Sequence, residues 1–386
     1  MDFSEALALQ ETLIKHRRHL HQNPEIGLSL PQTVAYVTDT LKKYGYTPVQ
    51  CGNGVIATVG KGSTCILLRA DMDALPIKEQ TNLPFCSKIP NAMHACGHDL
   101  HTAMLLGAAK LLKEKEHELN GVVKLMFQPA EEILCGAQNM IDCGILENPT
   151  PDAALMVHVG CGIPIKSGTI IVSAPGTVAP SADHFEITVT GKGCHGSTPQ
   201  KGIDVILTSN HIFSAISALQ IREFADTPIT LTFGTFNAGT NANVMPEKAV
   251  LKGTLRMFDE TVRPKFKDRL VELTQSIAQS FQAKAEVDFF SSCPSFKCDK
   301  NLSDFALKIF DNSINAADFS EKAGGSEDFA YISQKVPTLL LNITAGDSRN
   351  GYTVPLHNPK TLFDESALSV GCFAYTKFAV NFLKNF

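Results

Sequence analysis

Three short, largely apolar runs end in polar clusters, and this pattern constrains the fold more than any other feature of the chain. Cys65–Leu68 (CILL) leads through Arg69 into Ala70-Asp71-Met72-Asp73. Val122–Phe127 (VVKLMF) leads into Gln128-Pro129-Ala130-Glu131-Glu132, and Ala153–Val157 (AALMV) leads into His158. Strands without a polar face need cover on both sides, which is the situation of a buried α/β sheet. Helical spacing between the runs, clearest from Leu100 to about Lys115, supplies that cover. Ligands of open α/β sheets bind beyond the carboxyl ends of the strands. One acidic strand end is explained by a solvated loop. Three ends bearing carboxylate or imidazole point to one shared crevice.

The flanking chain reads as helices over 2–20 and 32–44, with Gly45 as a stop, then a strand at Gly54–Val59. The texture changes near Pro180. His184–Thr190 (HFEITVT) alternates strictly, so one face is buried and the other wet. A helix follows (about Asp204–Arg222), then strands at Ile229–Asn237 and Lys248–Phe258, a helix over Glu260–Phe281 and a strand at Ala285–Phe289. This β-α-β-β-α-β order is the ferredoxin-like plan. From Leu302 the pattern returns to helix and buried strand (Thr338–Asn342), expected to rejoin the first sheet. At 386 residues the chain exceeds one ordinary domain. The expected organisation is a discontinuous α/β domain, residues 1–180 and 295–386, interrupted by an α+β domain over 181–294.

With 44% apolar and 19% charged residues the chain is not a disordered one. The 34 basic residues are outnumbered by 39 acidic ones, and no basic block occurs, which argues against nucleic-acid or anionic-membrane partners. The 11 cysteines are odd in number, irregularly spaced and free of CxxC pairs, so neither a disulfide framework nor a zinc ribbon is expected. The first residues lack the basic-then-apolar order of a signal peptide, and the longest apolar runs fall short of a membrane span. A cytoplasmic setting is expected.

The densest chemical cluster is Met93-His94-Ala95-Cys96-Gly97-His98-Asp99-Leu100-His101. A thiol and an imidazole two residues apart can face one ion, can form a nucleophile pair, or can belong to a capped loop in which Asp99 starts the helix. A cysteine-hydrolase reading leaves Glu131, Glu132 and His158 without a task, so the metal reading ranks above it. Adjacent residues cannot point the same way. One carboxylate of the Glu131-Glu132 pair can therefore hold an ion while its neighbour faces a substrate, the division that metal-assisted hydrolysis needs.

Together, MHACGHD, RADMDALP, QPAEE, GSEDF (Gly325–Phe329) and the LHNP around His357 resemble the hippurate hydrolase and indole-acetyl-amino-acid hydrolase group. These are dinuclear metallo-amidohydrolases related to aminoacylase-1 and carboxypeptidase G. The resemblance runs from RRHLHQNPE (Arg17–Glu25) to His357. It implies a zinc-peptidase-like catalytic domain with a buried mixed sheet and an inserted lid that also dimerises. It further implies that Cys96 is shared by two divalent ions, with His98 and His158 completing one site and Glu132 and His357 the other. Manganese is the metal expected first, with zinc, cobalt or nickel as substitutes. Glu131 matches the general base, and Asp73 and Asp99 match positions behind the ligands.

His195, in GCHG, matches a histidine that crosses to the partner's active site and stabilises an oxyanion. Asn243 and Arg256 match binders of the oxyanion or of a substrate carboxylate, and Gly325 a glycine close to the substrate. The implied reaction is hydrolysis of the amide of an N-acyl amino acid. The alternatives are a dipeptidase or carboxypeptidase on the same scaffold and a non-catalytic binder of metal or amino acid. Departures from the pattern fall at Cys194, where a second glycine is common, at Gly160, where a bulky or aromatic residue is common, and at Val205, where proline is usual.

Overall fold

The structure, a computed structural model, describes residues 2–310, 313–316 and 325–386. The strands that matter here are, in chain order, β1 (Val49–Cys51), β2 (Gly54–Gly60), β3 (Cys65–Asp71), β4 (Val122–Gln128), β5 (Ala153–Gly160) and β6 (Ile170–Val172). They continue with β7 (Ala182–Thr190), β8 (Ile229–Ala238), β9 (Lys248–Met257), β10 (Lys284–Cys293), β11 (Ser313–Asn315) and β12 (Thr338–Thr344). The main helices are α1 (Gln10–Gln22), α2 (Pro31–Lys43), α3 (His98–Glu114), α4 (Val205–Arg222), α5 (Arg263–Ser280) and α6 (Ala367–Asn385).

The described chain divides into two compact units. One holds the chain up to Val178, resumes at Lys297 and runs from Asp328 to the end; the other spans Ala179–Phe296 and takes back a short stretch ending at Glu327. The first unit is built on a mixed eight-stranded sheet in the order β1-β2-β4-β3-β5-β12-β6-β11. Its centre is parallel: β3 pairs in parallel with both β4 and β5, and β5 with β12. The tail strand thus joins the sheet beside β5, as the sequence led one to expect. Every residue of β3 is buried, because α3 and α6 pack on the sheet there. Nearly all of α3 is buried too, including the polar His98, Asp99, His101 and Thr102 of its first turns. Among the described residues, no helix is long and apolar enough to cross a membrane.

The expected first helix over 2–20 is two helices, Phe3–Leu7 and α1, with a turn between them. The short strands β1, β6 and β11 carry too few residues to show a period, and the sequence did not reveal them.

The second unit has the expected order, with α4 between β7 and β8 and α5 between β9 and β10. Its sheet runs β8-β9-β7-β10 with every neighbour antiparallel. That is the ferredoxin-like arrangement. Phe185, Ile187 and Val189 from the alternating strand form its core with Leu251, Leu255 and Phe266.

The parallel centre of the first sheet places the ends of β3, β4 and β5 along one edge. The loop into β5 is fixed by a buried lysine on β4. Lys124 Nζ donates to the carbonyls of Ile145 (3.0 Å), Glu147 (2.6 Å) and Pro149 (2.6 Å). An unmade buried hydrogen bond costs about 1–3 kcal/mol. Lys124→Met is therefore expected to lower the thermal midpoint by several degrees, on the order of 3 kcal/mol of stability. An unchanged melting curve would show that the three carbonyls do not depend on the ammonium.

Candidate active site

Cys96 and His98 stand on either side of a glycine for a reason visible in the backbone. Gly97 has φ +89°, in the left-handed region, and a Cβ there would lie 2.4 Å from Val159 Cγ2. Only glycine permits both the turn and the close approach. His98 then opens α3, and its Nδ1 donates to the carbonyl of Asp73 at 2.8 Å. On β5, His158 Nδ1 donates to the Val159 carbonyl at 2.7 Å. Each bond places the ring proton on Nδ1 and leaves Nε2 as the atom able to take a metal, the tautomer of a metal-ligating histidine.

These Nε2 atoms meet other donors. Cys96 Sγ lies 3.6 Å from His158 Nε2 and 3.2 Å from His357 Nε2. Glu132 Oε1 lies 3.5 Å from His357 Nε2 and 3.8 Å from His98 Nε2. Around one tetrahedral ion, ligand atoms about 2.0–2.3 Å from the metal are about 3.3–3.8 Å apart, so this spacing suits donors sharing an ion. Of the donor groups close enough to hold an ion, two share Cys96, namely Cys96–His98–His158 and Cys96–Glu132–His357; His98–Glu131–Glu132 and Asp71–His98–His101 are others. His98 Nε2 and Glu132 Oε1 are buried without a hydrogen-bond partner, a costly arrangement that a bound cation would relieve. The residues fit a pair of divalent ions.

The charge states agree. Burial pushes the Cys96 thiol far up, away from thiolate. Burial also raises Glu132 to about 7, opposed by His98 and assisted by the charges of Asp73 and Asp71. Bound metal needs thiolate, carboxylate and neutral imidazole, so its binding releases protons and strengthens as pH rises.

Asp73 stands behind these groups. Its Oδ1 and Oδ2 accept from the backbone N–H of Glu131 (3.0 Å) and Glu132 (3.1 Å). Ala130, just before the pair, sits at φ +56°, unusual for a residue with a side chain. Glu131 is 7% exposed, with Oε2 4.0 Å from His98 Nε2.

The resemblance placed Asp71 and His101 near the ligands, but not the bonds they make, and the roles of Arg69 and Asp328 were missed. Asp71 Oδ1 pairs with His101 Nδ1 at 2.6 Å, and His101 Nε2 accepts the Val159 N–H at 2.8 Å. Burial holds His101 down to about 4, so a neutral ring ties β3 to the strand bearing His158. Asp71 Oδ2 also meets Arg69 Nη1 at 2.7 Å. Arg69, itself fully buried, reaches Asp328 at 3.3 Å, and Asp328 takes Gln128 at 2.5 Å and the Ala137 N–H at 2.9 Å. Burial raises Asp71, yet Arg69, His98 and His101 together hold it well below the usual carboxylate range. Asp99 has a different task from the one expected. Its Oδ2 accepts from Arg17 (2.9 Å) and His21 (2.8 Å) of α1, it makes no helix-capping bond, and it anchors α1 on α3.

The other expected residues belong to the second unit, where they form two groups. Cys194–His195 pairs antiparallel with Val244–Met245, and the Gly196 N–H donates to the Asn243 carbonyl at 2.8 Å, which joins His195 and Asn243 in one ribbon. The Ser197 N–H donates to His195 Nδ1 at 3.1 Å, so the exposed His195 ring carries its proton on Nε2. Arg256 Nη1 donates to Ser326 Oγ at 2.6 Å, beside the exposed Gly325.

Comparison with known proteins identifies the class. Residues 67–381 match the model of peptidase family M20/M25/M40. The chain is 36% identical over 385 residues to thermostable carboxypeptidase 2 of Saccharolobus solfataricus, covering 97% of this chain and 96% of the relative. It is 35% identical over 384 residues to N-acetylcysteine deacetylase of Bacillus subtilis, covering 97% of each. Among solved structures, the Bacillus subtilis YXEP protein, titled a dinuclear metal binding peptidase of the M20 family, superposes with TM-score 0.82. That match has 32% identity over 98% of this chain and 99% of that one. The chain belongs to peptidase family M20, and the fold expected from its motifs is the family's fold.

Gly97→Ala tests the geometry at its tightest point. The variant is expected to bind fewer than two ions per chain after metal loading and to melt at a lower temperature than wild type. Elemental analysis and a thermal scan read both, and full metal content would show that the Cys96–His98 turn tolerates a side chain.

Proposed function

We propose that this protein is a metal-dependent amidohydrolase that cleaves the amide of N-acyl amino acids, releasing the amino acid and a carboxylic acid. The observation that carries this reading is the division of labour in the Glu131-Glu132 pair. Glu132 groups with Cys96 and His357, while Glu131, close to His98 and Glu132 and anchored at its backbone by Asp73, belongs to neither of the two sets that share Cys96. A non-catalytic binder of metal or amino acid has no use for such a second carboxylate.

Cys96, His98 and His158 would hold one divalent ion, and Cys96, Glu132 and His357 the other. Manganese is the first expectation, with zinc, cobalt or nickel able to replace it on a mixed S, N and O donor set. Such ions supply Lewis-acid polarisation of the acyl carbonyl and make water a better nucleophile at neutral pH. Glu131 takes a proton from the attacking water as its oxygen bonds to the carbonyl carbon. It passes that proton to the departing nitrogen as the C–N bond breaks. His195, whose proton sits on Nε2, donates to the oxyanion of the tetrahedral intermediate. Arg256 binds the amino-acid carboxylate through its guanidinium, with Asn243 and Gly325 bordering the substrate. Residues 181–294 act as a lid and dimerisation domain within a cytoplasmic homodimer, and His195 of one chain serves the site of the other.

A carboxypeptidase or dipeptidase reaction shares this machinery. The thermostable carboxypeptidase relative favours it, and the deacetylase relative favours the acyl-amide reading. A panel of N-acetyl, N-benzoyl and dipeptide substrates, run with manganese, zinc or cobalt, separates the two. Glu131→Gln is expected to keep both ions while kcat falls by about 10²–10⁴-fold. Near-normal turnover in that variant would overturn the role of Glu131, and a fully active monomer would overturn the crossing of His195.

A further inference from the structure

Gly160 is the last residue of β5, two positions after His158, so the two share a face of the strand. Its glycine has no backbone cause, since its φ lies outside the left-handed region. It has no packing cause either, since a Cβ built there meets nothing within 4 Å. In both respects it differs from Gly97, and from Gly346, whose Cβ would lie 2.7 Å from Tyr352 Cβ. What a glycine contributes at position 160 is room.

That room lies beside the candidate ligand His158, on the approach to the loop that carries His357. The Ala345 N–H donates to the Gly160 carbonyl at 2.7 Å. One residue on, Cys161 Sγ donates to the Val354 carbonyl at 3.4 Å, three positions before His357. Gly160 is partly exposed, so the space opens to solvent. On this face the strand partner of Gly160 is Thr344 and that of His158 is Asn342, and neither brings a cation. A substrate's amino-acid half carries a carboxylate that needs one, whereas its acyl half is neutral.

We infer that Gly160 is a specificity-determining residue: the space left by its missing side chain, beside His158, takes a bulky neutral acyl group such as an aryl or branched chain. A large side chain at 160 would fill that space and restrict the site to small acyl groups. The size of an apolar pocket discriminates by about 10–200-fold for a single group.

The inference rests on the N-acyl amino acid reading, and one experiment separates the two. Metal-loaded wild type, Gly160→Ala and Gly160→Tyr are assayed on the N-acetyl and N-benzoyl forms of one amino acid, with bound metal counted in each. Wild type is expected to cleave the benzoyl substrate with kcat/KM at least equal to that for acetyl. The benzoyl-to-acetyl ratio is expected to fall about a hundredfold in Gly160→Tyr and by a smaller factor in Gly160→Ala, with metal content unchanged. If Gly160→Tyr fails to fold or loses metal, the ratio in Gly160→Ala decides. A ratio unmoved by substitution, or a wild type that prefers acetyl tenfold or more, overturns the inference and leaves the amidohydrolase reading intact. A wild type that cleaves neither substrate overturns that reading and the inference with it.

Discussion

The carboxylate of Asp73 is the fixed point from which the rest of the site is set. One oxygen accepts the Glu131 N–H and the other the Glu132 N–H, while the residue's own carbonyl accepts His98 Nδ1–H. Three segments far apart in sequence therefore meet at one residue on the loop after β3. Ionised carboxylates make strong acceptors for backbone N–H groups, and this one also compensates the left-handed turn at Ala130. In the proposed assignment the substrate-facing and ion-facing carboxylates are chain neighbours, so a slip of that backbone would exchange their tasks.

Behind Asp73 lies a buried polar framework, the charged Asp71, Arg69 and Asp328 with the neutral ring of His101. Each member is expensive to bury alone, and breaking a buried pair by removing one partner costs about 3–5 kcal/mol. In return the framework ties the ends of the central strands together. His101 reaches the backbone of β5 next to His158, and Asp328 reaches the N–H of Ala137 beyond the Glu pair. The rigidity suits a centre whose donor atoms must stay a few tenths of an ångström from their ideal places.

Sequence patterning carried the architecture well, for a physical reason. Strands covered on both faces must be apolar, as Cys65–Leu68 and Ala153–Val157 are, and the alternation of His184–Thr190 marks a sheet with one wet face. Short edge strands such as Val49–Cys51 and Ile170–Val172 leave no such mark. Around the site, the sequence showed which residues cluster but not what each one holds. Asp99 adjoins His98 in the chain, yet its partners Arg17 and His21 come from α1, and helix geometry alone turns it away. The pairing of Arg69 with Asp328 spans 259 positions, and no local pattern encodes it. Proton positions on His98 and His158 follow from which carbonyl lies nearby, a matter of tertiary structure.

The two candidate donor sets that share Cys96 are unequal in their contact with water. Beside the shared Cys96, one set has His98, 1% exposed, and the partly exposed His158; the other has Glu132, 8% exposed, and His357, 52% exposed. His357 also sits at φ +62° on a loop, whereas His98 and His158 belong to a helix start and a strand end. The donor set that depends on His357 is thus the one with an open flank, where solvent and competing ligands gain entry. With ions in both sets, as proposed, the position at the open flank would turn over first, and the one between helix start and strand end would keep its occupant longer and with it the shape of the centre.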